Sequence, residues 1–161
     1  RIVDADSGKK EAVLAQYYRT DTSNTGLTLT FDSTSKTFIP ASSFNKTQST
    51  LGTADFPTGD SVTLNKPGTY VHNIYIYGHS TIPDDGIVAI DLVDSGGTQY
   101  GTNIFATKNW NNSSTDNIIL STIIDSTSGD NFRIRFGGGL AGTGASLSIQ
   151  VLAIMWTILE K

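Results

Sequence analysis

The sequence predicts an all-β domain, a two-sheet antiparallel sandwich or jelly roll, on three observations. First, Ser and Thr supply 39 of the 161 residues, and Gly and Asn add 16 and 10. That composition suits strands with polar outer faces and frequent turns, and it suits helices poorly. Second, several segments alternate apolar and polar residues with a period of two. Third, turn signals separate these segments at the spacing of an all-β fold. An apolar fraction of 37% is too high for a disordered chain.

Taken in order, the first 25 residues stand apart as an N-terminal arm or stalk end, and 26–161 form the head domain. Lys9–Arg19 is either a short helix, with Val13 and Tyr17 at i, i+4 spacing, or an extended arm. Leu27, Leu29 and Phe31 share one face of a strand. Residues 38–57 are polar and irregular and read as a long connection. Asn65-Lys66-Pro67-Gly68 is a turn that launches the aromatic, β-branched run 69–77. Turns at 83–86 and 94–97 bracket a strand over 86–93. A further strand over 98–106 precedes a polar tip at 108–116. After a strand over 117–124, Phe132, Ile134 and Phe136 alternate with Arg133 and Arg135. Gly137–Gly144 reads as a flexible glycine loop before the last strand.

The last strand carries the most information. Its odd positions from Leu147 to Leu159 define a core face. Its even positions begin polar and then become Leu152, Ile154, Trp156 and Ile158. An antiparallel sandwich strand ordinarily keeps one face for water. Either a loop of the same chain covers this second face or another subunit does. The length of the stripe favours a subunit, so these four residues are the expected interface.

Gly68-Thr69-Tyr70-Val71-His72 resembles the glycine-x-tyrosine strand of the tumour-necrosis-factor and complement globular-head superfamily. Ser128-Gly129-Asp130-Asn131-Phe132-Arg133-Ile134 resembles that superfamily's later small-Gly-Asp-x-hydrophobic motif, in the matching order. The resemblance spans about residues 55–161 and is nearest to bacterial and phage versions at the tips of fibres or stalks. It implies a jelly roll that assembles as a homotrimer, located outside the cell or on a virion surface. The phenylalanine-glycine ending of the animal members is absent, since the chain ends Trp156-Thr-Ile-Leu-Glu-Lys161.

Chemistry leaves little trace. A formal charge of −4 without any Lys/Arg cluster argues against nucleic acid and against anionic membranes. The longest apolar stretch, 151–159, is half the length of a membrane-spanning helix. There are no cysteines, so disulfides and Cys-based metal sites are excluded. His72 and His79 are seven apart, on opposite faces of a strand, so a shared metal site is not expected. No nucleophile elbow is present, and the Asp pairs flank turns. The reading is therefore non-enzymatic and without cofactor, with Asp84-Asp85 the place for a structural calcium if there is one.

Trp110 beside Asn109, Asn111 and Asn112 suits a sugar, by stacking and directed hydrogen bonds, unless the indole folds back to plug the sandwich. Tyr100, Trp110, Asn111 and Asn112 are thus the candidate ligand-binding residues. The expected function is a trimeric head that binds a host-surface receptor, a glycan among the candidates, on a phage or viral fibre or a bacterial stalk. Two alternatives stand beside it: a viral capsid or decoration jelly roll, and a monomeric carbohydrate-binding module. The last requires Leu152, Ile154, Trp156 and Ile158 to be covered within one chain.

Overall fold

A computed structural model describes residues 13–20, 27–39, 46–49, 54–55, 61–80, 85–100, 105–111, 114–140 and 142–161. For 13–20, 46–49, 54–55 and 105 the description is of the backbone. The twelve strands are β1 Val13–Thr20, β2 Leu27–Phe31, β3 Thr37–Phe38, β4 Lys46–Ser49, β5 Ala54–Asp55 and β6 Val62–Leu64. They continue as β7 Gly68–Ser80, β8 Gly86–Val93, β9 Phe105–Trp110, β10 Thr115–Ser126, β11 Asp130–Leu140 and β12 Leu147–Glu160. No helix occurs among the described residues.

The strands form two sheets, antiparallel throughout. One runs β10-β7-β12-β1-β4, with β2 continuing the edge of β12 beside β1. The other runs β5-β6-β11-β8-β9, with β3 also on β11. The inward residues alternate along each strand and meet in one core. Ile74, Ile76, Leu147, Ile149 and Trp156 come from the first sheet, and Val88, Ile90, Phe132, Ile134 and Phe136 from the second. This is the all-β, two-sheet architecture that the composition and alternation predict.

Three local expectations are settled or corrected. Of the two readings of Lys9–Arg19, the extended one holds over Val13–Thr20, which lies between β12 and β4 and pairs with both, so the sheet extends into the segment read as an arm. Two pairing partners outweigh a short i, i+4 pattern, because a strand of eight residues gains hydrogen bonds along both edges. The connection over 38–57 contains two short strands, β4 and β5. Gly137, Gly138 and Gly139 are not a loop but continue β11 opposite Ala89, Val88 and Ile87.

The two resemblance motifs hold the turns. Tyr70 is buried and donates its hydroxyl hydrogen bond to the Lys66 carbonyl at 2.7 Å. Gly129 takes a φ of +90°, which favours glycine, and its N–H reaches the Leu64 carbonyl at 2.8 Å. The Asp130 carboxylate accepts from the Thr127 backbone N–H at 2.8 Å and from the Thr127 hydroxyl at 2.9 Å. An aspartate is required there for the backbone, as turn chemistry anticipates.

Candidate interaction faces

The decisive feature of β12 is a bulge. Val151 pairs with Gly78 and Ala153 with Tyr77, so Leu152 is an extra residue on the bulged strand. Gly78 sits opposite, where an added Cβ would lie 2.8 Å from the Gln150 carbonyl oxygen. Only glycine lets the two backbones approach this closely.

The bulge reverses the strand's facing. Before it, the odd residues Leu147, Ile149 and Val151 point into the core; after it, the even residues Ile154, Trp156 and Ile158 do. The expected interface therefore moves. Ile154, Trp156 and Ile158 are buried within one chain and cannot meet a partner, and Leu152 sits half-buried at the bulge itself. Strict alternation carried through the strand puts these residues on the wrong side, because one inserted residue flips every side chain beyond it.

What faces outward instead is a different apolar surface. Pairing register aligns Ile119 on β10, Tyr75 on β7 and Met155 on β12 in one row. Ile119 is 60% exposed, Met155 46% and Tyr75 36%. A second row holds Ile123, Val71 and Leu159, and a third Asn117, Tyr77 and Ala153. Between the first two lies a polar row of Ser121, Asn73 and Thr157, in which the Ser121 hydroxyl donates to Asn73 Oδ1 at 2.6 Å. None of these twelve outward positions is charged, although 16% of the chain is. A water-facing sheet of this length ordinarily carries charges.

The four candidate ligand residues do not form one site. Trp110 is 1% exposed and points inward, its indole N–H donating to the Ser114 carbonyl at 3.1 Å. It plugs the end of the sandwich and presents no face for a sugar, since inward burial gains far more than a solvated indole. Asn111 beside it is exposed, and Asn112 lies outside the described residues. Tyr100 belongs to the other end: Gly86 on β8 pairs with Trp110, whereas the Tyr100 N–H reaches Leu92. Six residues of β8 separate them, about 20 Å at the usual strand rise. Tyr100 stacks on Phe132 with ring centroids 4.4 Å apart and donates its hydroxyl to the Asn131 carbonyl. Burial and the neighbouring Asp130 push its pKa up to about 12.

His72 and His79 do lie in different surroundings. His72 is buried between the sheets, its Nδ1 accepting from Trp156 Nε1–H at 3.3 Å and its ring 4.6 Å from that of Phe132. Burial pulls its pKa down to about 3. His79 sits half-exposed with Nδ1 3.2 Å from the Thr115 hydroxyl. No cluster of three or more metal-ligating side chains occurs among the described residues. Likewise, no helix there is long and apolar enough to cross a membrane.

Comparison with solved structures places this architecture. Eiger TNF from S. frugiperda superposes with a TM-score of 0.56 at 12% identity, covering 92% of each chain. The globular domain of zebrafish complement 1qA superposes equally well, with a TM-score of 0.56 at 12% identity over 92% of this chain and 97% of that one. The fold is the jelly roll of TNF and C1q globular-head domains. No protein-family model matches the sequence, and no curated protein matches it either.

Proposed function

We propose that this domain is a non-catalytic, homotrimeric receptor-binding head that works outside the cell, at the end of a fibre or stalk on a virion or bacterial surface. One observation carries the reading: twelve adjacent uncharged outward positions on β10, β7 and β12, with Ile119, Tyr75 and Met155 aligned across them. Exposed apolar surface of this extent marks a binding surface. A second copy is the occupant, because the face repeats identically on every chain and symmetric association covers it on all of them. The motifs at 68–72 and 128–134 resemble those of a superfamily that assembles as trimers, and the TNF and complement 1qA structures share the fold. Three copies held rigidly turn weak individual contacts into useful avidity.

Light scattering on a sizing column tests it. The wild type is expected at three times 17.2 kDa, and Ile119→Lys and Met155→Lys at a single chain's mass with an unchanged far-ultraviolet spectrum. A monomeric wild type would refute the trimer. The monomeric carbohydrate-binding module would then be the account to pursue: of the four residues it requires to be covered within one chain, Ile154, Trp156 and Ile158 are buried and Leu152 is half-buried.

A further inference from the structure

The opposite sheet carries a groove that neither the core nor the uncharged face explains. A cavity of about 220 Å³ opens on the outer side of β8 and β11, against the turn that precedes β3. Ala89 and Gly137, which are cross-strand partners, line it together with Gly138 and raise nothing larger than a methyl group. Asp91 and Arg135, the next pair outward on the same face, also line it. Arg135 Nε donates to Asp91 Oδ1 at 2.9 Å, Nη2 to Oδ2, and Nη1 to the Gly97 carbonyl at 2.8 Å. The guanidinium is thereby locked, and the two charges cancel.

Lys36, Ile90 and Gln99 complete the lining, and of these only Lys36 carries a charge. Its stem runs across Gly137, with Cγ 3.5 Å from where a Cβ would stand. Its ammonium makes no ion pair among the described residues, and it leaves the groove with one net positive charge in a protein of charge −4.

The two glycines have different reasons to be there. Gly138 takes a φ of +117°, and an added Cβ would fall 1.9 Å from the Ile87 carbonyl oxygen. Its identity is dictated by the backbone. Gly137 has no such φ, and an added Cβ would meet only the flexible Lys36 stem at ordinary contact distance. A strand interior is weakened by glycine, and one reason to accept that cost is the close approach of a ligand. A side chain at 137 would fill the groove.

We propose that this groove binds an acidic monosaccharide, with its carboxylate on the Lys36 ammonium and its ring laid over Ala89, against the Lys36 stem that crosses Gly137. The Asp91 oxygens each keep a lone pair beyond the Arg135 bond and accept from the sugar hydroxyls. The cavity falls below the size of drug-sized pockets and suits a single ring. A single unpaired cation selects an acidic sugar over a neutral one. The groove lies on the sheet opposite the uncharged face, so the proposal stands whether or not the chain trimerises.

Titration of the isotopically labelled protein with glucuronate, followed by amide NMR shifts, tests it, with glucose and acetate as controls. Glucuronate is expected to give saturable shifts at Ala89, Gly137 and Gly138, glucose the same shifts only at about fivefold higher concentration, and acetate none. Gly137→Val is expected to abolish these shifts while the rest of the spectrum is retained. Lys36→Ala is expected to weaken binding about fivefold, as befits an exposed ion pair. Absence of saturable shifts, an equal response to acetate, or full binding by Gly137→Val would each overturn the proposal.

Discussion

Lowering the pH from 7.5 to 5.0 should destabilise this domain through one residue. His72 is 0% exposed and lies among Trp156 and Phe132. Its Nδ1 accepts from the indole of Trp156, which leaves the proton of the neutral ring on Nε2. Nε2 is buried without a hydrogen-bond partner. A second proton would place an unanswered charge in the core, and burial holds the folded-state pKa down at about 3 against 6.5 in the unfolded chain. The folded pKa is depressed, so below 6.5 the unfolded chain takes up a proton that the folded chain refuses. Stability is therefore lost as pH falls from 6.5 towards 3, at about 1.4 kcal/mol per unit. By pH 5.0 the loss is about 2 kcal/mol, set against a total stability of about 5–15 kcal/mol.

Urea unfolding of wild type and His72→Leu at pH 7.5 and 5.0, at one fixed protein concentration, isolates this contribution. Asp32 and Asp116, whose pKa values are lowered by hydrogen bonds from Ser35 and Thr34 and from Lys108, also lose stabilisation in acid. They are common to both proteins and cancel in the difference. The wild type should lose about 2 kcal/mol more than the variant between the two pH values. Equal losses in both proteins would refute the argument that His72 is buried neutral.

Two further predictions follow from single positions. Gly138→Ala should cost about 3 kcal/mol, because the residue combines a positive φ with a blocked Cβ, whereas Gly137→Ala should change stability by less than about 1 kcal/mol; thermal melts of the pair make the comparison. Trp110→Ala should cost about 3–5 kcal/mol in urea unfolding, as for any large buried aromatic, and a variant of unchanged stability would return the indole to the surface.

The elements that local chemistry specifies were legible in the sequence. Phe132, Ile134 and Phe136 face the core while Arg133 and Arg135 face out, as their alternation demands. Tyr70 and Asp130 hold turns through partners within a few residues, Lys66 and Thr127. The candidate sites were less legible. Trp110 among asparagines has the same local pattern whether the indole stacks on a ligand or closes the sandwich, and only the packing of β9 against the core chooses. The groove at Lys36 joins residues 36, 89, 91, 135 and 137, which no spacing relates.

By itself the sequence determined an all-β sandwich with polar turns, no cysteine chemistry and a last strand apolar on both sides. Those properties are sums over residues or repeats of period two, so they survive without knowledge of partners. Tertiary structure decided which side of β12 meets the core. One bulge at Leu152, admitted by the missing side chain of Gly78 on the neighbouring strand, turns Ile154, Trp156 and Ile158 inward and Met155 outward. The partner that permits the bulge is more than 70 residues away along the chain, and a pattern read along one strand cannot register it.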